Sequence, residues 1–500
     1  MNRRMKGALA LAFLPALLMT WVVRSGPVAA QSELGLGRER IAANDGWAAA
    51  EGGTTGGSAA TADQVFTVDT KEELRRAVAG DTPKIVYVRG HIQFLAECAS
   101  YNAPGYTEQA YLDAVRGTTL DPDHANSPAP IKAIEKLRKT SENNQSADIT
   151  MEVGSNTTIV GLAGAQITGL ELGLTGKRNV IIRNLSIQDA YGCFPRWSGY
   201  DWKTYFSNIR MEASSHVWLD HLTLGDGTRT LATETKQDGK TYLHHDELIT
   251  AMKGSDLITV SWTRLHDNFK PVMLGVLNDG GSSVANTRVT MHHNLFDKTV
   301  LRSPSVYYGK VHLYNNSHVV PPSVCCWYYQ WGVGTQSKIY AENNSFTGGM
   351  PKNRDILWNF AGQEAGGKDG AGVIHESGSM VAGQPVNLVA EFNGNRETGK
   401  DYVLGTNVGW APTLHGTIDP TAQVPAIVAA GAGAGRAVGG SNPPATSLPP
   451  TSTTTRPTTT PPTATPPATT TKPSATTKPP ITTTKPPTPT WSCPDWWPWC

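Results

Sequence analysis

The chain has 500 residues, a formal net charge of +1 and 17% charged residues. This balance excludes the broad basic surface that nucleic-acid or anionic-membrane binding needs, so a charged substrate has to be met by a few placed side chains. The length suits one large domain with extensions, and 50 glycines with sparse helix signals point to strands and turns.

Arg3, Arg4 and Lys6 precede an apolar run from about Ala8 to Val23, and a small-residue exit follows at Val28-Ala29-Ala30. This is the pattern of an export signal over residues 1–30; the run is short for a bilayer span and Pro15 interrupts it. The expectation is a secreted, extracellular protein with no membrane attachment once the leader is removed, and no oligomerisation signal, hence a monomer. In an oxidising compartment Cys98–Cys193 and Cys493–Cys500 are the expected disulfides; Cys325 and Cys326 are adjacent and receive no assignment. No CxxC spacing supports structural zinc.

The segment "KEELRRAVAG" (71–80) predicts an amphipathic helix and "KIVYVRG" (84–90) a strand. Such a helix would cover the open end of the first coil of a stacked structure. Between about 150 and 350 a loose repeat runs through "NTTIVGLAGAQI", "KRNVIIRNLSI", "SHVWLDHLTL", "SDLITVSWTRL", "TRVTMHHNLF", "GKVHLYNNSHV" and "SKIYAENNSF". Each holds a short alternating β-branched or aromatic run, a polar kink and another apolar pair, and the closest recurrences are about 22 residues apart. Short strands at that period predict an all-β parallel β-helix. Asn184, Asn294, Asn316 and Asn344 fall just after strands and are expected to form a ladder at equivalent bends, since Asn tolerates the left-handed backbone. The β-helix domain is placed at 31–435. Residues 441–490 are a Pro/Thr-rich linker, expected to be disordered and extended. The tail 491–500, "WSCPDWWPWC", carries four tryptophans that could stack on sugar rings.

The stretches "NDGWAAAEGGTTGG", "GSNTTIVGLAG", "VIIRNLSI", "HVWLDHLTLGDG", "GSDLITVSW", "KPVMLG" and "MHHNLF…LRSPSVYYGKVHLYNN" resemble the bacterial extracellular pectate lyases of polysaccharide lyase family 1, over roughly residues 42–410 and in the expected order. The resemblance implies a right-handed parallel β-helix, pectin-lyase-like in fold. It also implies β-elimination: the C5 proton beside a uronate carboxylate is removed and the C4–O bond breaks. Cations near that carboxyl group stabilise the enolate-like charge that develops. By resemblance Lys270, in "HDNFKPVMLG", holds a uronate carboxylate, and Arg302, in "KTVLRSPS", is the arginine assigned as base. Free Arg stays protonated far above neutral pH, so its firmer role is contact with the reacting sugar. Tyr307 is a further substrate-binding candidate.

The resemblance also implies a three-carboxylate calcium site around "HHDELIT". Here Asp246 matches the first acid, while Thr250 and Ser207 stand at the other two positions. Calcium binding is therefore expected to be weak or rebuilt, because carboxylates are its best protein ligands. Glu247 is expected to point away by strand alternation unless a bulge brings it round. The stretch is read as the remnant, or a rebuilt version, of that calcium site; His244 and His245 do not change this, because calcium rarely takes nitrogen ligands, and zinc on His244, His245 and Asp246 is the minor alternative. Ser305 and Tyr307 replace further arginines, which suits a less charged substrate. Asp220 reads as a buried structural carboxylate, and His221, His292 and His293 as residues packed between coils. The leading expectation is a secreted lyase of pectate with altered calcium dependence. Its alternatives are a pectin lyase on methyl-esterified polymer without calcium, and a non-catalytic binder of uronic-acid polymer.

Overall fold

Branched aliphatic residues at every second position of short strands stack coil upon coil in the computed structural model, which describes residues 33–276, 287–320, 329–349, 352–360, 372–394 and 403–437. The leader, the linker, the Trp-rich tail and Cys325–Cys326 lie outside the described residues. Three long sheets of ten, eight and ten strands run the length of the stack. Each coil gives one strand to each: Ile209–Glu212, Ser215–Asp220 and Thr223–Gly225 are followed by Ile249–Met252, back in the sheet where the turn began. Neighbouring coils pair in parallel, and Arg288 lies beside Lys310, one 22-residue repeat on. An antiparallel pair, Met380–Val381 with Gln384–Pro385, ends the third sheet. This is a parallel β-helix.

The inward face of the first sheet is a continuous stack, Val86–Ile159–Ile182–Leu219–Val260–Met291–Leu313–Ala341 in strand register. All of these side chains are buried in one core cluster. Burial of aliphatic area at about 25 cal/mol per Å² is the main favourable term in such a stack. The helix Lys71–Ala77 closes the first coil with Leu74 and Ala77, and Thr70 caps it by accepting from the Glu73 amide at 3.3 Å. On the outward face Thr158, Thr259 and Thr290 accept from the amides of Gly57, Ala48 and Trp47, so the N-terminal segment lies across several coils. The expected Cys98–Cys193 disulfide is present.

The asparagine ladder is real but shorter than expected. Asn294 Nδ2 donates to Asn316 Oδ1 at 2.9 Å, and Asn316 Nδ2 to Asn344 Oδ1 at 3.0 Å. Asn184 is not a member; it sits one position earlier in its turn, with φ 55°, and bonds to Gly161 O. The left-handed residues of these turns are Asn184, His221, Trp262, His293, Asn315 and Asn343, so the ladder amides follow the bend instead of making it. A further difference is the 21-residue helix Ala129–Ile149, which packs beside the coils. Its Gln145 and Arg138 hold the loop that carries Tyr191, Cys193 and Phe194. Among the described residues no helix is long and apolar enough to cross a membrane.

Candidate active site

The eight-stranded sheet presents Arg210, Thr250, Met273 and Ser305 outward in one register row. Over this row opens a cleft of about 570 Å³. Its floor includes Thr250 and Met273, and one wall is the antiparallel hairpin of Arg196–Trp197 and Trp202–Lys203 with its flanking Tyr200 and Tyr205. Asp246, Glu247, Lys270, Arg302 and Tyr307 all line it. The Lys and the Arg that the chemistry requires, 32 positions apart in the chain, thus face one cavity.

Each of these cations holds a neighbouring carboxylate. Lys270 Nζ is paired with Asp246, and Arg302 Nη1 with Glu247. Glu247 does not point away as strand alternation predicted. The strand begins only at Ile249, and the amides of Leu248 and Ile249 both donate to Pro271 O at 2.9 Å. Two successive amides on one carbonyl mark an irregular entry to the strand, and this turns both acids toward the cleft. Burial and the adjacent Glu247 raise the Asp246 carboxyl above the usual range. Burial works against ionised Glu247 as well, but Lys270 and Arg302 outweigh it and hold its pKa below the ordinary value. Burial opposes charge on Arg302, yet Glu247 foremost pushes its pKa further up, so the guanidinium is held protonated. Burial opposes the Lys270 charge too, and Asp246 and Glu247 again prevail.

Arg302 has φ 54°, a left-handed backbone that costs a non-glycine residue about 1–2 kcal/mol. Its carbonyl accepts from Val272 at 2.9 Å, which locks the bend beside the strand that follows Lys270. Lys270 is positioned by Asn268, a residue the sequence reading missed. Asn268 Oδ1 accepts from the Lys270 amide at 2.8 Å, and its Nδ2 donates to Asp226 at 2.7 Å and to Asp246 O at 3.0 Å. The pattern Asn-x-Lys, a short polar turn that can bond to the backbone two residues on, was the available signal.

The three positions of the implied calcium site do not fit that ion. Ser207 and Thr250 are buried, and their hydroxyls bond to each other at 2.7 Å. Asp246 is spent on Lys270. One carboxylate engaged by an ammonium and two hydroxyls facing one another are a poor set for a cation that prefers six to eight oxygens. His244 and His245 are part of the scaffold and do not enter the cleft: His244 Nδ1 meets Gly192 O at 2.7 Å and stacks on Tyr191, while His245 Nε2 meets Asp189 at 2.9 Å. Asp220 is buried as expected, bonded to Arg183 at 2.7 Å and to Ser261 at 2.8 Å. His293 stacks on Trp262 and His292 on Tyr314, which is packing and not catalysis.

The pectate lyase family model matches residues 23–116 and 107–372. A pectate lyase of Bacillus subtilis is 34% identical over 419 residues, covering 80% of this chain and 94% of its own. A solved structure of a mutant Bacillus subtilis pectate lyase matches with a TM-score of 0.72 and 33% identity, over 80% of this chain and 99% of that one. A pectate lyase solved bound to a hexasaccharide matches with the same TM-score, identity and coverage. A stacked-coil scaffold with a lysine and an arginine in one groove therefore stands beside a match over most of the chain, and the protein belongs to the pectate lyase family of polysaccharide lyases.

Proposed function

We propose that this protein is a secreted lyase that cleaves the galacturonate backbone of pectate by β-elimination, with Lys270 and Arg302 as the groups that act on the reacting sugar. The observation that supports it most is the placement of these two side chains in one cleft, next to each other's counter-ions. The C5–H and C4–O bonds break and a C4–C5 double bond forms; the C5 proton passes to solvent water in the cleft and the departing O4 takes a proton from solvent, so no water is consumed. Lys270 meets the sugar's carboxyl group and withdraws charge from C5. Arg302, protonated, stabilises the enolate-like charge, which is electrostatic preorganisation in a partly dry groove. Substrate takes these roles over from Asp246 and Glu247, so binding exchanges internal ion pairs for external ones. The cleft's polymer partner is a galacturonan of hexasaccharide size or longer, the size taken by analogy with the relative solved with a hexasaccharide. Because Ser207 and Thr250 are not calcium donors here, activity should depend weakly on calcium.

A second reading, a lyase of methyl-esterified pectin, is favoured by the internal pairing of both cations. The test is incubation with polygalacturonate and with highly esterified pectin, each with calcium or chelator, followed by ultraviolet absorbance of the unsaturated product. Arg302→Ala should lower the rate by a factor on the order of a hundred or more. An unchanged rate removes Arg302 from the reaction, and absence of product from the unmodified protein on every substrate leaves only the binder reading.

A further inference from the structure

Three cations line the cleft, Lys203, Lys270 and Arg302. Lys270 and Arg302 hold Asp246 and Glu247. Lys203 has no such partner: its Nζ donates to Tyr200 Oη at 2.9 Å and lies 4.9 Å from the centre of that ring, and among the described residues it forms no ion pair. Tyr200 and Tyr205 line the same wall and are 38% and 51% exposed. Among the described residues only Leu34 and Val403 join them as exposed large hydrophobic side chains. Asp201, the hairpin's own carboxylate, accepts from the Trp202 amide at 2.8 Å. Burial raises its pKa, and Lys270, Lys203 and Lys240 act against that rise. With Lys270 already paired to Asp246, two ammoniums remain for this one carboxylate, and the wall keeps a positive surplus.

The hairpin is fixed from behind. Trp197 and Trp202 pair across it and are buried in a second apolar core with Tyr111, Phe194 and Tyr242. The Trp197 amide donates to Tyr111 Oη at 3.1 Å, and its indole to Thr118 O at 2.9 Å. Arg196 is ion-paired with Asp121 and donates to Tyr205 Oη at 3.3 Å, which sets that ring. At the tip Gly199 has φ 95°, and a Cβ there would come within 2.8 Å of Thr119 O. This core, packed on the helix Ala129–Ile149 through Ile131, Ile134 and Leu137, lies outside the repeating coils, and what it presents to the cleft is the hairpin.

We propose that this hairpin is a subsite for a second galacturonate unit of the bound polymer, away from the reacting sugar, with Lys203 pairing that unit's carboxylate and the rings of Tyr200 and Tyr205 packing on its C–H faces. This rests on the lyase reading above and names how the same cleft holds a polymer. A galacturonan carries one carboxylate per sugar, so a chain that gives one to Lys270 has others to place along the wall. Lys203 takes one without breaking an internal ion pair, whereas Lys270 and Arg302 must each exchange one. The charge-assisted bond is made at the cost of a hydrogen bond to a phenol, and the open rings lose water on contact. Because the hairpin is held in place before substrate arrives, little ordering is left to offset the gain.

The experiment compares unmodified protein with Lys203→Met, which removes the charge and keeps the stem, and with the double variant Tyr200→Ala, Tyr205→Ala. Values of kcat/KM for unsaturated product are measured on polygalacturonate and on the shortest oligogalacturonate that the unmodified protein cleaves, and read as the ratio of polymer to oligomer. Each variant should lower this ratio by about tenfold, with the loss on polymer carried by KM. A merely structural role would lower both values together and leave the ratio unmoved, which overturns the inference. A loss on polymer carried by kcat alone overturns it as well, since the hairpin would then act on the reacting sugar. Should the double variant not fold by circular dichroism, Lys203→Met decides alone. No product from unmodified protein on any substrate overturns the lyase reading and this inference with it, whereas product with an unmoved ratio overturns only the part assigned to the hairpin.

Discussion

Asp220 shows how a single carboxylate can be indispensable without touching substrate. It is buried, and its partners are Arg183, the Ser261 hydroxyl and the ring of His221. Burial alone would raise its pKa; His221 and Arg183 more than compensate and hold it at about 2. The folded value lies below the unfolded one, so this stabilisation is fully present above pH ~4 and is lost as pH falls toward ~2. Asp220→Asn should cost roughly 3–5 kcal/mol near neutrality, because Arg183 is left buried with its inner partner neutral. The same substitution should flatten the stability decline on the acid side, and thermal midpoints recorded at neutral and acid pH check both halves. Ser207 and Thr250 make the complementary case. Their mutual hydrogen bond is a neutral contact at the two positions where the resemblance implies carboxylates. Ser207→Asp combined with Thr250→Asp should lower the thermal midpoint in chelator and recover it with calcium, while unmodified protein shows little calcium response.

Within the coils, the ladder of Asn294, Asn316 and Asn344 joins successive turns through buried amides. Asn316 is its middle member: Nδ2 donates to Met291 O and Asn344 Oδ1, and Oδ1 accepts from the Asn294 amide at 3.1 Å. Asn316→Ala should destabilise by roughly 2–4 kcal/mol, since buried donors and acceptors on both neighbouring coils lose their partner. Asn184→Ala, outside the ladder, should cost less, and denaturant midpoints of the two variants distinguish the roles. Such elements were legible in the sequence because alternation and post-strand asparagines are local signals. The helix Ala129–Ile149 was not. Its fully buried residues are Glu135, Arg138, Ser141, Gln145 and Ile149, mostly polar, and the apolar row Ile131, Ile134 and Leu137 covers only its first half, so the apolar period is too short to announce a 21-residue helix. Arg138 is satisfied there by Glu135 in two bonds of 3.0 Å, which only the fold reveals. Lys270 and Arg302 were legible as a pair by resemblance. The orientation of Glu247 was not, because the carbonyl that turns the chain there belongs to Pro271, 24 residues downstream.

The whole molecule is a stack in which each coil bonds mainly to its neighbours, so long-range cooperation has to come from segments outside the repeat. Two such segments run along the coils. The N-terminal one crosses the first sheet through Thr158, Thr259 and Thr290. The C-terminal one runs back over the turns after that sheet. Asp419 O accepts from Asn315 and Asn343 at 2.9 Å each, its carboxylate meets His293, and further on Ala434 and Gly435 bond to Thr223 and Asn184. The left-handed residues Asn184, His293, Asn315 and Asn343 are thus the points at which the returning chain is fastened. The two segments also meet, with Gly46 N donating to Leu414 O and Trp47 packed against Trp410. None of the residues in 411–436 lines the cleft. A chain ending at Trp410 should therefore keep its lyase rate at low temperature and lose heat stability, compared with one ending at Arg436. The loss of several bonds and of the packing of Val424, Val428 and Ala432 against Leu295 should lower the thermal midpoint by on the order of 5 °C. Limited proteolysis should then cut within the coils between Asn184 and Asn343 before those nearer the N-terminal cap. Equal midpoints for the two chains would mean that neighbouring coils alone hold the stack together.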